Sequence, residues 1–212
     1  MYAIALRAPQ FGRYLPLLAA MYQLRRRVFK DRLGWSVSVS GELELDLYDT
    51  LGPTYLMLIS ETGKAVGSVR LLPTTGPTML ADIFPVLLGG TSAPRNERVL
   101  ESSRFCVDTK LVSDTSFSSI NRATLVLFAA MIEAARGACA DSIVTVTDTR
   151  MERILRRAGW PLRRIDAPRQ VGCTAAVAGY LDTSEYTLHR IYKQAELHGP
   201  VLASPDVVNV AA

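Results

Sequence analysis

The sequence predicts an α/β fold: a single domain with one mixed, twisted β-sheet flanked by helices. Three observations carry this. The chain has 212 residues, which at ~150 residues per domain favours one large domain able to bury roughly 70% of its surface. Apolar residues recur at helical spacing in some segments and as short β-type runs in others. Strands joined by a tight hairpin stand beside strands separated by helices, which requires antiparallel and parallel neighbours in one sheet.

Leu17, Met21, Leu24 and Val28 recur at i, i+4, i+7 and i+11, the stripe of an amphipathic helix over residues 15–29, with Pro16 tolerated in its first turn. Residues 30–53 read as a long irregular stretch, a length that usually signals function. Segments 55–60 and 65–72 read as strands joined by a turn at Gly63, and 98–107 as another strand. Residues 120–136 are apolar all round, a buried helix. A strand follows at 142–147. Thr149 and Glu152 suggest a capping box for the next helix, closed by Gly159. Strands over 162–166 and 171–180 and a helix over 184–197 complete the series. The residues after Pro200 lack periodicity and read as a loosely ordered tail, 200–212.

Hydrophobic residues make up 49% and charged residues 21% of the chain, which excludes a disordered protein. The net charge of +4 is mild, but it is built from 20 Arg and only 4 Lys. Arg is suited to bidentate capture of carboxylates and phosphates. The three cysteines, Cys106, Cys139 and Cys173, are odd in number and form no CxxC pair. This points to a reducing, cytoplasmic setting, with Cys106 and Cys139 packed as small apolar groups. Two histidines give no metal-ligand spacing, so no metal is expected. No signal peptide and no membrane span are expected either, the longest apolar run (123–132) being too short.

Four segments concentrate charged groups where they are costly unless paired. LRRRVF (24–29) places Arg25 and Phe29 on one helical face, with Trp35 beyond. ELELDLYD (42–49) would place Glu42, Glu44, Asp46 and Tyr48 on one side if extended. Arg70 interrupts an apolar strand, and Glu101 and Arg104 lie within another. Strict alternation separates Glu101 from Arg104, so a shared face requires a β-bulge near Ser102 or Ser103. Each segment alone also fits a solvated face or an ion-pair network. Together, Arg25, Arg70 and Arg104 set against Glu44, Asp46, Asp49 and Glu101 suit a zwitterionic ligand, whose carboxylate guanidinium groups would hold.

Taken in order, LRRRVFKDRLGW (24–35), ELDLYD (44–49), GSVRLLPTTGPTML (67–80), DIFP (82–85), ESSRFCVD (101–108) and MERILRRAGWP (151–161) resemble the acyl-homoserine-lactone synthases, the autoinducer synthases of quorum sensing. The matches are collinear over residues 14–165. The resemblance implies a GNAT-like (N-acyltransferase-like) fold with a V-shaped cleft, a synthase domain over 1–199 and no cofactor. S-adenosylmethionine would be a substrate, acylated on its amine by an acyl thioester and then lactonised with release of 5′-methylthioadenosine. It implies catalytic roles for Glu101, Arg104, Arg70 and Asp46, and contact with S-adenosylmethionine by Arg25, Phe29, Trp35, Asp46, Asp49 and Arg104. Thr145 falls where the family lines the acyl chamber, a position associated with 3-oxo preference; Met79, Leu80, Phe84, Leu125 and Phe128 are candidate walls of that chamber that equally fit the core, Phe84 foremost because it lies in the matched DIFP stretch.

The acyl donor would be acyl carrier protein or acyl-CoA. Arg150, Arg153 and Arg157, one face of a short helix, would meet either anionic donor. A generic GNAT acetyltransferase is disfavoured because DTKLVSDTSFSSINRA (108–123) lacks the glycines of a pyrophosphate loop. A nucleic-acid-binding module is disfavoured by the small net charge. Neither nucleic acid nor membrane is expected as a partner.

Overall fold

The computed structural model describes residues 1–112 and 120–208. The chain opens with β1 (Tyr2–Leu6), and a 3₁₀ turn leads into α1 (Leu15–Arg26). Two short strands, β2 (Val39–Ser40) and β3 (Leu43–Glu44), precede β4 (Thr54–Ile59) and β5 (Ala65–Pro73). One helical turn, α2 (Met79–Asp82), comes before β6 (Val99–Val107) and α3 (Arg122–Gly137). Then follow β7 (Ser142–Asp148), α4 (Thr149–Arg157), β8 (Arg163–Arg164), β9 (Arg169–Val171) and β10 (Thr174–Asp182). Helix α5 (Glu185–Gln194) and β11 (Leu202–Ala203) complete the regular elements. The described residues gather into two compact units, one within Met1–Arg70, Arg104–Ala130 and Pro200–Ala212, the other within Leu71–Ser103 and Met131–Gly199.

In the first unit β1 runs antiparallel to β4 and parallel to β11. Its strand order is β11-β1-β4-β5-β6. β4 (TYLMLI) is buried along nearly its whole length, as expected of a strand covered on both faces. Leu17, Leu18 and Met21 of α1 pack on Ile4, Leu6, Tyr55, Met57 and Ile59, each buried side chain of this size contributing about 1.5–3 kcal/mol. Gly67 lets the strands pack closely: a Cβ there would lie 3.1 Å from the Cys106 carbonyl oxygen and 3.3 Å from Leu58 Cβ, tighter than ordinary contact.

Helix α1 does not stop at residue 29. It widens into a π-type turn over Arg27–Arg32, with Leu33 N–H reaching the Val28 carbonyl at 3.0 Å and Trp35 N–H the Phe29 carbonyl at 2.9 Å. Such turns recur at functional sites, and this one folds Trp35 back onto Phe29.

In the second unit β6 pairs in parallel with β7 over Val99–Ser102 and Ser142–Thr145, and β7 pairs antiparallel with β10. Leu80, Leu87, Leu88, Val144, Ala176 and Ala178 form its core, with Phe84 packed against them. The mixed strands with flanking helices agree with the fold class read from the sequence.

Several local expectations are corrected. The cap of α4 is Asp148, whose carboxylate accepts the Met151 N–H at 2.6 Å; Glu152 instead turns inward and accepts two hydrogen bonds from Arg164, at 2.6 and 2.7 Å. Cys139 is exposed. It ends α3 in the left-handed conformation (φ 57°), with Ala140 N–H bonded to the Ala135 carbonyl at 2.9 Å, the geometry of a Schellman cap. The tail is tied down as far as residue 208: Leu202 and Ala203 pair with Ala3 and Ile4, and the Asp206 carboxylate accepts from the Tyr14 hydroxyl at 3.1 Å. Residues 209–212 lie outside the described residues. The expected strand over 171–180 is two, β9 and β10, separated by Gly172 at φ 57°. Among the described residues no helix is long and apolar enough to cross a membrane.

Candidate active site

The acidic segment supplies the first part of the site. It is not one extended strand: β3 ends at Glu44, and Asp46 caps a 3₁₀ turn over Leu47–Leu51. Its carboxylate accepts the Tyr48 N–H at 2.9 Å, while the Asp49 carboxylate accepts the Asp46 N–H at 2.8 Å. The capped turn places both aspartates beside the basic end of α1. Glu42, expected on the same side, is exposed and pairs with Arg26 instead.

Three guanidinium groups and three carboxylates then interlock within the first unit. Arg25 donates to Glu44 Oε2 from Nε (2.6 Å) and to both Asp49 oxygens from Nη1 and Nη2 (2.7 and 2.9 Å). Arg70 donates from Nη1 to Asp46 Oδ1 (2.5 Å) and Asp49 Oδ1 (2.9 Å). Arg104 donates from Nε to Glu44 Oε1 at 2.9 Å and pairs through Nη2 with Asp46 Oδ2 at 2.7 Å. Three positive and three negative charges offset one another, which is what permits their burial. An aromatic ring lies against each guanidinium: Tyr22 on Arg25, Tyr48 on Arg70 and Phe29 on Arg104, at 5.3, 5.4 and 5.7 Å.

The cluster has an accessible edge. The side chains of Arg104 and Asp46 are each 13% exposed, while those of Arg25, Arg70, Glu44 and Asp49 are buried. Phe29 stacks on Trp35 with ring centroids 5.3 Å apart, so the edge carries a half-buried indole next to a guanidinium–carboxylate pair. Arg104 reaches it from a left-handed backbone (φ 55°), which costs a non-glycine residue about 1–3 kcal/mol and concentrates at functional sites. It is Arg104, and not Ser102 or Ser103, that takes the left-handed conformation in this strand.

Tyr55 supports the cluster and was not singled out in the sequence. Its hydroxyl donates to Asp49 Oδ1 at 2.7 Å, and the Tyr22 hydroxyl lies 2.9 Å from it. Since Tyr55 spends its one proton on Asp49, Tyr22 donates to Tyr55. The sequence signal was a tyrosine at the head of an apolar strand, whose hydroxyl needs a partner once buried. Burial opposes ionisation of Asp49, but Arg25, Arg70 and Tyr55 outweigh it and hold its carboxyl well below the usual range. Burial, with Asp49 adding to it, pushes the Tyr55 phenol far up.

The remaining expected residues lie in the second unit. The buried Glu101 carboxylate accepts backbone N–H groups from Met79 and Leu80, at 2.8 and 2.7 Å, and so holds the start of α2. Thr145 donates its hydroxyl proton to the Ser102 carbonyl at 3.0 Å. Phe84 is half-buried beside Leu80 and Leu87. Arg150, Arg153 and Arg157 are exposed along α4. Among the described residues no cluster of His, Cys, Asp and Glu could hold a metal ion.

Comparison with known proteins shows the family and the fold. The family model described as autoinducer synthase matches residues 13–191. A probable acyl-homoserine-lactone synthase of Sinorhizobium fredii is 47% identical, covering 90% of this chain and 92% of its own. The crystal structure of the AHL synthase LasI is 33% identical and superposes with a TM-score of 0.77, covering 91% of this chain and 95% of that one. The structure of TofI in a ternary complex with an inhibitor and MTA is 30% identical with a TM-score of 0.74, covering 93% and 98%.

Proposed function

The chain belongs to the autoinducer synthase family and is an acyl-homoserine-lactone synthase, and on that premise we propose that it joins S-adenosylmethionine to an acyl thioester and closes the product to a lactone. The observation that carries this reading is the accessible edge of the charge cluster. Arg104 brings a guanidinium charge toward a carboxylate, Asp46 a carboxylate toward an ammonium, and Trp35 over Phe29 a face for an adenine ring or a sulfonium. Arg25, Asp49 and Arg70 hold that edge in place, so Arg25, Phe29, Trp35, Asp46, Asp49 and Arg104 form the S-adenosylmethionine site.

The first step needs an amine with a lone pair. An α-ammonium has a pKa of about 8, so only about a tenth is reactive at neutral pH. Glu101 takes the proton, directly or through one water, as the amine attacks the thioester carbonyl and the thiol departs. A placed base of this kind contributes ~10²–10⁴-fold. Arg70 and Arg104 orient the carboxylate of S-adenosylmethionine, which then attacks the γ-carbon. The carbon–sulfur bond breaks, the sulfonium takes the bonding pair, and 5′-methylthioadenosine leaves with the lactone closed. Met79, Phe84 and Thr145 line the acyl chain. Arg150, Arg153 and Arg157 receive the donor, an acyl carrier protein or the phosphates of CoA.

Incubation with S-adenosylmethionine and a panel of both kinds of thioester, read by mass spectrometry, tests this. Stoichiometric 5′-methylthioadenosine and an acylated homoserine lactone are expected. Acylated amines on other acceptors without methylthioadenosine would overturn it.

A further inference from the structure

We propose that Glu44 is a positioning residue for the substrate-binding guanidinium of Arg104; this rests on the reading of Arg104 as a contact of S-adenosylmethionine. Glu44 is 0% exposed, so it acts only through its neighbours. Its two oxygens each accept one arginine Nε–H, Arg25 at 2.6 Å and Arg104 at 2.9 Å. Both arginines thereby spend Nε on Glu44; Arg25 gives both outer nitrogens to Asp49, and Arg104 gives Nη2 to Asp46. An arginine held through one nitrogen swings about its long stem. Held through two or more, its plane is set.

The order of attachment gives Glu44 its leverage. Arg25 projects from the packed helix α1 and is locked edge-to-edge by Asp49. Glu44 belongs to a two-residue strand that, among the described residues, pairs with β2, with Val39 opposite it. The carboxylate therefore takes its position from Arg25 and hands it to Arg104. Arg104 needs this support because its backbone stands in the left-handed region and a flat ring, Phe29, is its neighbour on the other side. A misplacement of about 1 Å at a site of this kind costs up to about 10²-fold.

The test is a steady-state comparison of Glu44→Gln, Glu44→Asp and Arg104→Lys, following 5′-methylthioadenosine release. Gln removes the charge and turns an N–H donor toward an arginine N–H. Asp keeps the charge but shortens the arm by one methylene. For both Glu44 variants the KM for S-adenosylmethionine is expected to rise, by about 10–100-fold with Gln and less with Asp, while the KM for the acyl thioester stays within twofold. Tyr192→Phe, which loses its bond to Glu133, lowers the thermal midpoint and leaves both KM values unchanged, so general loosening is told apart from misplacement. If Glu44→Gln does not fold, Glu44→Asp carries the same test. An S-adenosylmethionine KM raised by Arg104→Lys but unmoved by the folded Glu44 variants overturns the inference alone. A KM unmoved by Arg104→Lys removes the reading of the site, and this inference with it.

Discussion

The carboxylate of Asp49 meets the guanidinium of Arg25 edge to edge, Nη1 to Oδ1 at 2.7 Å and Nη2 to Oδ2 at 2.9 Å. Parallel bonds of this kind combine charge with a fixed plane. The same Arg25 also serves Glu44, so its loss takes a partner from two buried carboxylates at once, leaving Asp49 to Arg70 and Tyr55 and Glu44 to Arg104.

Arg25→Met preserves much of the volume and removes the charge. Breaking a buried pair from one side costs about 3–5 kcal/mol, and that loss is expected in urea unfolding. Tyr55→Phe removes one hydrogen bond to Asp49 and leaves the ion pairs, a loss of about 1 kcal/mol. Equal effects from the two variants would mean that the arginine is not the keystone.

Acid should reach this cluster in a defined direction. The Asp49 carboxyl is held well below its ordinary range against the opposing effect of burial. The stabilisation is therefore complete at neutral pH. It is lost as pH falls through about 4, where the unfolded chain takes up its proton first, and onward toward the lower folded-state value. Glu152, held low by Arg164 hydrogen bonds, adds to the same slope. Urea midpoints measured from pH 7 to pH 3 are expected to decline below about pH 5, and Asp49→Asn should flatten that decline. Parallel curves for the two proteins would remove Asp49 from the account.

Glu101 has a structural duty that bears on its assignment as base. Both its oxygens already accept backbone N–H groups at the start of α2. Glu101→Gln can serve only one of them, and turns its amide N–H toward the other. A base role predicts that kcat falls by ~10²–10⁴-fold with the KM for S-adenosylmethionine unchanged. A loss below tenfold, with a lowered thermal midpoint, would leave Glu101 as the holder of the Met79–Leu80 turn only.

How far the sequence reached depended on what each residue's signal was. Amphipathic spacing located α1, but its widening at Arg27–Arg32 has no sequence period, because the wider bonds serve Trp35 rather than the helix. Charges inside apolar strands marked Arg70, Glu101 and Arg104, since a buried charge is legible wherever it stands. Which acid each arginine chose was not legible: Asp46 turned to Arg70 and Arg104, and Asp49 to Arg25 and Arg70, once the 3₁₀ turn had set their directions. Glu152 satisfied a capping pattern that Asp148 completed one residue earlier. Strand β11 was missed because two residues carry no periodicity, and their pairing with β1 is a long-range fact.

The donor question turns on α4. Arg150 and Arg153 are exposed, and the helix beneath them is held by the Asp148 cap and by the Glu152–Arg164 pair. Arg150 stands in the first turn, where the helix macrodipole disfavours a positive charge. Arg150→Glu together with Arg153→Glu should therefore leave the thermal midpoint unchanged or slightly raised, and a kinetic defect could not be ascribed to unfolding. An acidic carrier protein met by this face would lose both attraction and salt dependence, since charges at the rim of an interface act mainly on association. The KM for acyl carrier protein thioesters is then expected to rise about tenfold or more, by about 1.4 kcal/mol of lost interaction, with S-adenosylmethionine unaffected. If the acyl-CoA KM rises instead, the arginines serve the phosphates of CoA. If neither moves, α4 is a solvated face and the donor docks elsewhere.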